Sequence, residues 1–301
     1  MSFIFGPVTS RRYGRSLGVD MIPCKTCTYS CRFCQIGETP PSSLTTQRIS
    51  NPPVENVLKE LQSWLSAHPA PDFITLSGSG EPTLHRDFAQ ILRFAKDTAH
   101  CKSLLLSNGS LLYLEDVRKD AALADVVKVS LSFWNDASFK WLLRPEASLD
   151  WRKIVEGWRI FRNMFNGRLD CEVFLVKGFN DTPEICEKIS AIASSFSPDT
   201  IFLNTAVRPG ADKSAGMVEQ SKLEELRNIF GLKAKPAGGE IELDAMPADR
   251  NAILELLGRH PVTVKRLCKA TNLNKEDLLK LLDGSGVTET AAGGETFLTL
   301  P

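Results

Sequence analysis

The sequence predicts an α/β protein: a partial (β/α)6 TIM-like barrel over residues 1–235, followed by a small winged-helix-like module over residues 246–301. Three observations predict it. Apolar runs of four to eight residues alternate six times with segments of helical period. Polar and glycine-rich residues gather where those runs end, the place where parallel barrels keep their chemistry. After residue 233 the alternation stops, and three short amphipathic segments precede a hairpin pattern.

Residues 18–22 read as the first strand and run directly into a loop rich in cysteine. Asn51-Pro52-Pro53 punctuates the chain, and residues 54–67 then carry Val57, Leu58, Leu61 and Leu65 on one helical face. A short strand at 72–76 ends in Ser77-Gly78-Ser79-Gly80, and 87–97 is helical. A strand at 103–106 ends in Ser107-Asn108-Gly109 before a helix around 114–121. Strand 125–132 precedes helix 151–165, strand 170–176 precedes helix 183–195, and strand 200–204 precedes helix 222–230. Apolar strand cores between helices imply a parallel sheet covered by helices. Six units are too few for a closed eight-stranded barrel, which leaves an open, curved one. Residues 236–239 read as a hinge. Beyond it, 250–259, 264–271 and 275–282 read as helices, and 287–289 with 296–298 as a hairpin, the pattern of a winged helix.

Composition narrows the function classes. With 43% hydrophobic and 24% charged residues the chain is neither disordered nor fibrous. Thirty-six Lys+Arg against thirty-six Asp+Glu give no global pull toward nucleic acid. No apolar run approaches the ~18 residues of a membrane span, and the N-terminal pattern is the reverse of a secretory signal. Eight cysteines without an export signal point to a reducing cytoplasm, where clustered thiols bind metal or do chemistry.

Four of those cysteines, Cys24, Cys27, Cys31 and Cys34, fall within eleven residues. Cys101, Cys171, Cys186 and Cys268 are scattered singly and read as packing residues. A zinc site needs a longer separation between its two pairs, and a redox dithiol needs only one pair. An iron–sulfur cluster accepts close thiolates from one loop, although the spacing is not that of a bacterial ferredoxin.

Cys27-x3-Cys31-x-Phe33-Cys34 resembles the signature of the radical S-adenosylmethionine (SAM) superfamily, including the aromatic residue before the last cysteine. The resemblance implies that Cys27, Cys31 and Cys34 hold one [4Fe–4S] cluster, whose remaining iron is chelated by SAM. One electron from the cluster would cleave SAM, and the resulting 5′-deoxyadenosyl radical would take hydrogen from a substrate. Gly78-Ser79-Gly80-Glu81 resembles the family's glycine-rich SAM-binding motif, with Ser79 where a glycine is usual. Ser107 and Asn108 are similar to its third-strand contacts. Phe33, Ser130 and Ser132 are further expected SAM contacts, with Arg144 and Lys177 as candidates for the SAM carboxylate. Cys24 is extra to the signature and has no assigned role.

Residues 5–18, Val176-Lys177-Gly178-Phe179-Asn180-Asp181 and 203–209 resemble a narrower group, often labelled iron–sulfur oxidoreductases or relatives of the wyosine tRNA-base synthetase. The further upstream cysteines of that synthetase are absent, so a second cluster and that particular reaction are not expected. Arg11, Arg12, Arg15 and Arg208 are the candidate anion site for substrate, since arginine presents a planar donor fork. The expected partners are an electron donor such as flavodoxin or ferredoxin and a substrate that is a small molecule, peptide or RNA, with no membrane. Two other readings stand beside the enzyme of unknown substrate. One is tRNA or peptide modification with the winged helix docking the macromolecule. The other is an iron–sulfur-sensing DNA-binding regulator, disfavoured because Glu276 and Asp277 offset Lys275 and Lys280 on the recognition helix.

Overall fold

The computed structural model describes residues 2–10, 12–231, 233–236 and 242–300. Arg11 and residues 237–239 of the expected hinge lie outside the described residues. A nine-stranded sheet forms the body. Its strands are β1 (Ile4–Ser10), β2 (Gly14–Val19), β3 (Phe73–Leu76), β4 (Lys102–Leu106), β5 (Val126–Leu131), β6 (Arg168–Leu175), β7 (Thr200–Thr205), β8 (Ala234–Pro236) and β9 (Glu242–Leu243). The order is β8-β7-β6-β5-β4-β3-β2-β1-β9, with β2 through β8 parallel and β1 antiparallel to both β2 and β9.

Helices cover one face, as parallel crossovers require. They are α1 (Val54–Ala67), α2 (Phe88–Asp97), α3 (Glu115–Ala121), α4 (Asp136–Leu143), α5 (Trp151–Met164), α6 (Pro183–Ser195) and α7 (Gln220–Arg227). Leu17, Ile74, Leu105, Val127, Cys171 and Leu203 point from the strands into the core beneath these helices. The opposite, inner face carries Tyr13, Phe73, Leu104, Val126 and Phe202 as a separate apolar layer. The Tyr13 ring lies 6.1 Å from Phe73 on β3 and 6.2 Å from Phe202 on β7. Four strand spacings would put those two rings about 19 Å apart on a flat sheet, whereas they are held within about 12 Å. The sheet is therefore strongly curved, in agreement with a partial barrel.

Several elements depart from the sequence reading. The first parallel strand is Gly14–Val19 rather than 18–22, and it is paired with an unexpected strand, β1. Strand β8 adds a seventh parallel strand. Helix α4 occupies a stretch read as connection.

The C-terminal segment contains α8 (Arg250–Leu257), β10 (Val262–Thr263), α9 (Val264–Thr271), α10 (Lys275–Leu281), β11 (Thr288–Ala292) and β12 (Glu295–Thr299). The three helices enclose their own apolar cluster around Ile253, Leu267, Leu278 and Leu298. The hairpin β11–β12 takes β10 as a third strand, in the order β10-β12-β11. No helix among the described residues is long and apolar enough to cross a membrane.

Candidate functional site

The cysteine loop leaves the end of β2 and is pinned from two sides. Backbone N–H groups of Ser30 and Arg32 donate to Leu143 and Leu142 at the end of α4, and Cys27 N–H donates to Ser43. Tyr29 is buried edge-on against Phe139 of α4, with 5.7 Å between ring centroids. This anchoring separates the thiols: Cys24 is exposed, while Cys27, Cys31 and Cys34 turn half-buried into the site. Burial pushes the Cys27 thiol up to about 12, helped by the negative fields of Glu81 and Cys34. Cys31 is also raised well above the usual thiol range, by burial and then by Cys34 and Cys27. The three sulfur groups thus lie in one another's electrostatic reach.

The loop after β3 packs directly on this one. Lys25 N–H donates to the Ser79 carbonyl (2.8 Å), and Glu81 N–H donates to the Thr26 carbonyl (3.1 Å). A Cβ on Gly80 would sit 2.1 Å from the Thr26 carbonyl oxygen, so glycine is required for the two loops to touch. Gly78 has φ +136°, and a Cβ there would strike the Asp20 carboxylate. Asp20, the first residue after β2, accepts from both the backbone N–H (3.1 Å) and the hydroxyl (2.5 Å) of Ser79. The small residues of the motif therefore serve contacts within the chain before any contact with a ligand.

Glu81 ties the next loop to the same site. Its carboxylate accepts from the Thr83 N–H and hydroxyl, from the Ser107 hydroxyl (2.6 Å) and from the Asn108 N–H (2.8 Å). Asn108 in turn donates its side-chain amide to Thr28 (2.8 Å) and to the Cys27 sulfur (3.6 Å). Gly78, Ser79, Gly80, Glu81, Ser107 and Asn108 are thus brought together beside the three cysteines. Phe33 stacks on Phe174 of β6 with centroids 4.0 Å apart. Ser130 accepts from Lys128 (3.1 Å), and the Ser132 hydroxyl is buried without a hydrogen-bond partner among the described residues.

The other expected residues have partners of their own within the chain. Arg144 closes α4 and is divided between Glu38 (3.0 Å) and Asp212 (3.2 Å). Lys177 is exposed and pairs with Glu219 (3.4 Å). The expected arginine cluster also comes apart: Arg15 pairs with Asp244 (3.0 Å), whereas Arg12 pairs with Glu172 on the inner face (2.7 Å). Arg208 donates to Gln35, one residue after Cys34 (2.6 Å).

Sequence reasoning missed Asp20, which is 7% exposed, and its buried partner Arg259, which follows α8 and donates to it at 3.1 Å. It also missed the Lys128–Glu172 pair, although Lys128 shares the alternation of Ser130 and Ser132.

The donor set, three half-buried thiols of one loop, is of the chemistry that an iron–sulfur cluster takes. Among the described residues no group of three or more His, Cys, Asp or Glu side chains gathers around one metal-ion position. A [4Fe–4S] cube instead presents a separate iron to each thiolate, so its ligands need not converge. Three neighbouring half-buried thiols, with an amide donor on one of them, meet that requirement.

Comparison with known proteins shows what the chain is similar to. The radical SAM superfamily profile matches residues 21–190. A protein named GTPase Obg from Brachyspira hyodysenteriae is 33% identical over 97% of this chain, which spans only 44% of that protein. A UPF0026 protein from Methanocaldococcus jannaschii is 27% identical over 99% of this chain and 95% of its own length. Among solved structures, a radical SAM methyltransferase from Sphaerobacter thermophilus superposes with TM-score 0.56 at 17% identity, over 73% of this chain and 66% of that one. That likeness concerns the fold. With more than half its length matched by the superfamily profile, the chain belongs to the radical SAM superfamily, enzymes whose cofactors are a [4Fe–4S] cluster and SAM.

Proposed function

We propose that Cys27, Cys31 and Cys34 hold one [4Fe–4S] cluster and that the loops at 78–81 and 107–108 hold SAM against it. The observation that carries this reading is the direct contact of both loops with the cysteine loop, through Gly80 on Thr26 and Asn108 on Cys27. Bound together, the two groups supply one-electron reductive cleavage of SAM and hydrogen abstraction from a substrate. The chain's own residues orient and exclude water: Glu81 braces Ser107 and Asn108, Asp20 fixes Ser79, and the Phe33–Phe174 stack forms an apolar wall. Ser132 offers a buried hydroxyl to a polar group of SAM. The electron comes from a soluble donor of flavodoxin or ferredoxin type in the cytoplasm. Residues 246–301 form a winged-helix module whose Lys275 is spent on Glu289 (2.8 Å), which weakens the case for duplex binding by that helix.

Iron and sulfide analysis after anaerobic reconstitution tests the ligand assignment. About four irons per chain are expected for the unaltered protein and for Cys24→Ala, and a severe loss for Cys27→Ala, Cys31→Ala or Cys34→Ala. Full iron in those three variants, or its loss in Cys24→Ala alone, would reject the assignment.

A further inference from the structure

The C-terminal segment reaches the cofactor loops through the side chain of Arg259. This residue follows α8, and its own N–H closes the helix end on the Leu256 carbonyl (3.1 Å). Its guanidinium is spread over three acceptors. Nε donates to the Asp20 carboxylate (3.1 Å), Nη1 to the Glu255 carbonyl (3.0 Å) and Nη2 to the Ser2 carbonyl. The Phe5 ring of β1 carries the guanidinium and lies across Gly18 of β2, where a Cβ would meet the ring at 2.1 Å. Arginine suits this place because its planar group serves several fixed acceptors at once, which an ammonium does less well.

Asp20 is placed by the same N-terminal strand, since its N–H donates to the Phe3 carbonyl (2.8 Å). One carboxylate oxygen, Oδ2, receives Arg259 Nε together with the N–H and the hydroxyl of Ser79. Gly78 lies so close that a Cβ would come within 2.2 Å of the Asp20 carboxyl carbon. The carboxylate is therefore confined between the guanidinium and the glycine-rich turn. Ser79 passes the constraint on, because its carbonyl accepts from the N–H of Lys25, the neighbour of Cys24 (2.8 Å). Arg259, Asp20, Ser79 and the cysteine loop thus form one continuous chain of hydrogen bonds.

Both side chains of the Arg259–Asp20 pair are buried. Hydrogen bonds to an ionised carboxylate are among the strong ones, so Asp20 holds its donors firmly. Removal of the cation leaves an uncompensated buried charge, which is relieved only by movement of the carboxylate or of what it holds. What it holds on the barrel side is Ser79, the middle of the glycine-rich turn.

We propose that Arg259 is a positioning residue for SAM: acting through Asp20, it holds the turn at 78–81 in its binding conformation. The C-terminal segment is then a working part of the cofactor site. The identity of the bound group rests on the cofactor reading above, but the link from Arg259 to the turn does not.

Equilibrium dialysis of SAM against the full-length, cluster-loaded protein tests this. Arg259→Met is expected to weaken binding about tenfold, within the range of coupling in one hydrogen-bonded network, and Arg259→Lys about threefold. Asp244→Asn, which breaks a different ion pair of the same segment, with Arg15 of β2, is expected to leave it unchanged. In an Asp20→Asn background, Arg259→Met is expected to add less than about twofold, because both act through one carboxylate. Amide hydrogen exchange at Ser79, followed without SAM, is expected to quicken in Arg259→Met and not in Asp244→Asn. Thermal unfolding checks that each variant is folded, and Arg259→Lys carries the test if Arg259→Met is not. Unaltered SAM affinity in the folded Arg259 variants, or an equal loss in Asp244→Asn, would overturn the proposal. An unaltered protein that binds no SAM refutes the cofactor reading, and exchange at Ser79 then still decides the link to Arg259.

Discussion

Glu81 is 2% exposed, and its carboxylate receives hydrogen bonds from Thr83, Ser107 and Asn108, which makes it a bracket between two loops. Its truncation to Ala leaves several buried donors without an acceptor, each worth about 1–3 kcal/mol. A loss of about 3 kcal/mol in urea-unfolding free energy is expected for Glu81→Ala, with a smaller loss for Glu81→Gln. Glu172 governs a pH dependence. Burial alone would raise its carboxyl, but Lys128 and then Arg12 outweigh burial and hold it well below the usual carboxylate range. Because the folded value is the lower one, its stabilisation is complete above the unfolded value of about 4.3 and is lost as pH falls below it. Between pH 6 and pH 3 the unaltered protein is expected to lose more unfolding free energy than Glu172→Gln.

At the scale of elements, the cysteine spacing and the glycine-rich turn were legible because both are local. Helix α6 was read at its true limits because Thr182 caps it and Pro183 opens it. Helix α4 escaped notice: it has eight residues, and its capping box joins Asn135 to Ser138 rather than to a glutamate. Strand β1 was hidden by an irregular register between Phe5 and Val8, which breaks the alternation. The hydrophobic run through Ile22 disguised the end of β2, since the strand stops at Val19 and the next side chain turns to Ser79. The junction of α8 with the barrel has its own consequence. Arg259 and Asp20 form an ion pair in which both side chains are 5% exposed, and Arg259 also lies over the Phe5 ring at 5.2 Å. Breaking such a pair costs about 3–5 kcal/mol. Arg259→Met is expected to lower the unfolding free energy by about that amount and to weaken SAM binding through the released Asp20 carboxylate. Arg259→Lys is expected to recover part of both, as read by urea unfolding and equilibrium dialysis.

For the whole molecule, a net charge of zero concealed an uneven distribution. A polar layer on the inner face is assembled from Arg12, Lys128, Glu172 and Asn204, positions far apart in sequence that the sheet brings together. Sequence order alone grouped Arg11, Arg12 and Arg15, yet Arg15 turns outward to Asp244 while Arg12 turns inward. The proposed cofactor site is the reverse case. Its three thiols are neighbours in sequence, and the fold adds the two glycine-rich and polar turns that close around them.

The most direct measurement is product analysis after anaerobic incubation of the reconstituted protein with SAM and dithionite. Formation of 5′-deoxyadenosine by the unaltered protein, and its loss in Cys31→Ala, is the expected result. A protein carrying about four irons per chain that binds SAM yet releases no 5′-deoxyadenosine would contradict the account.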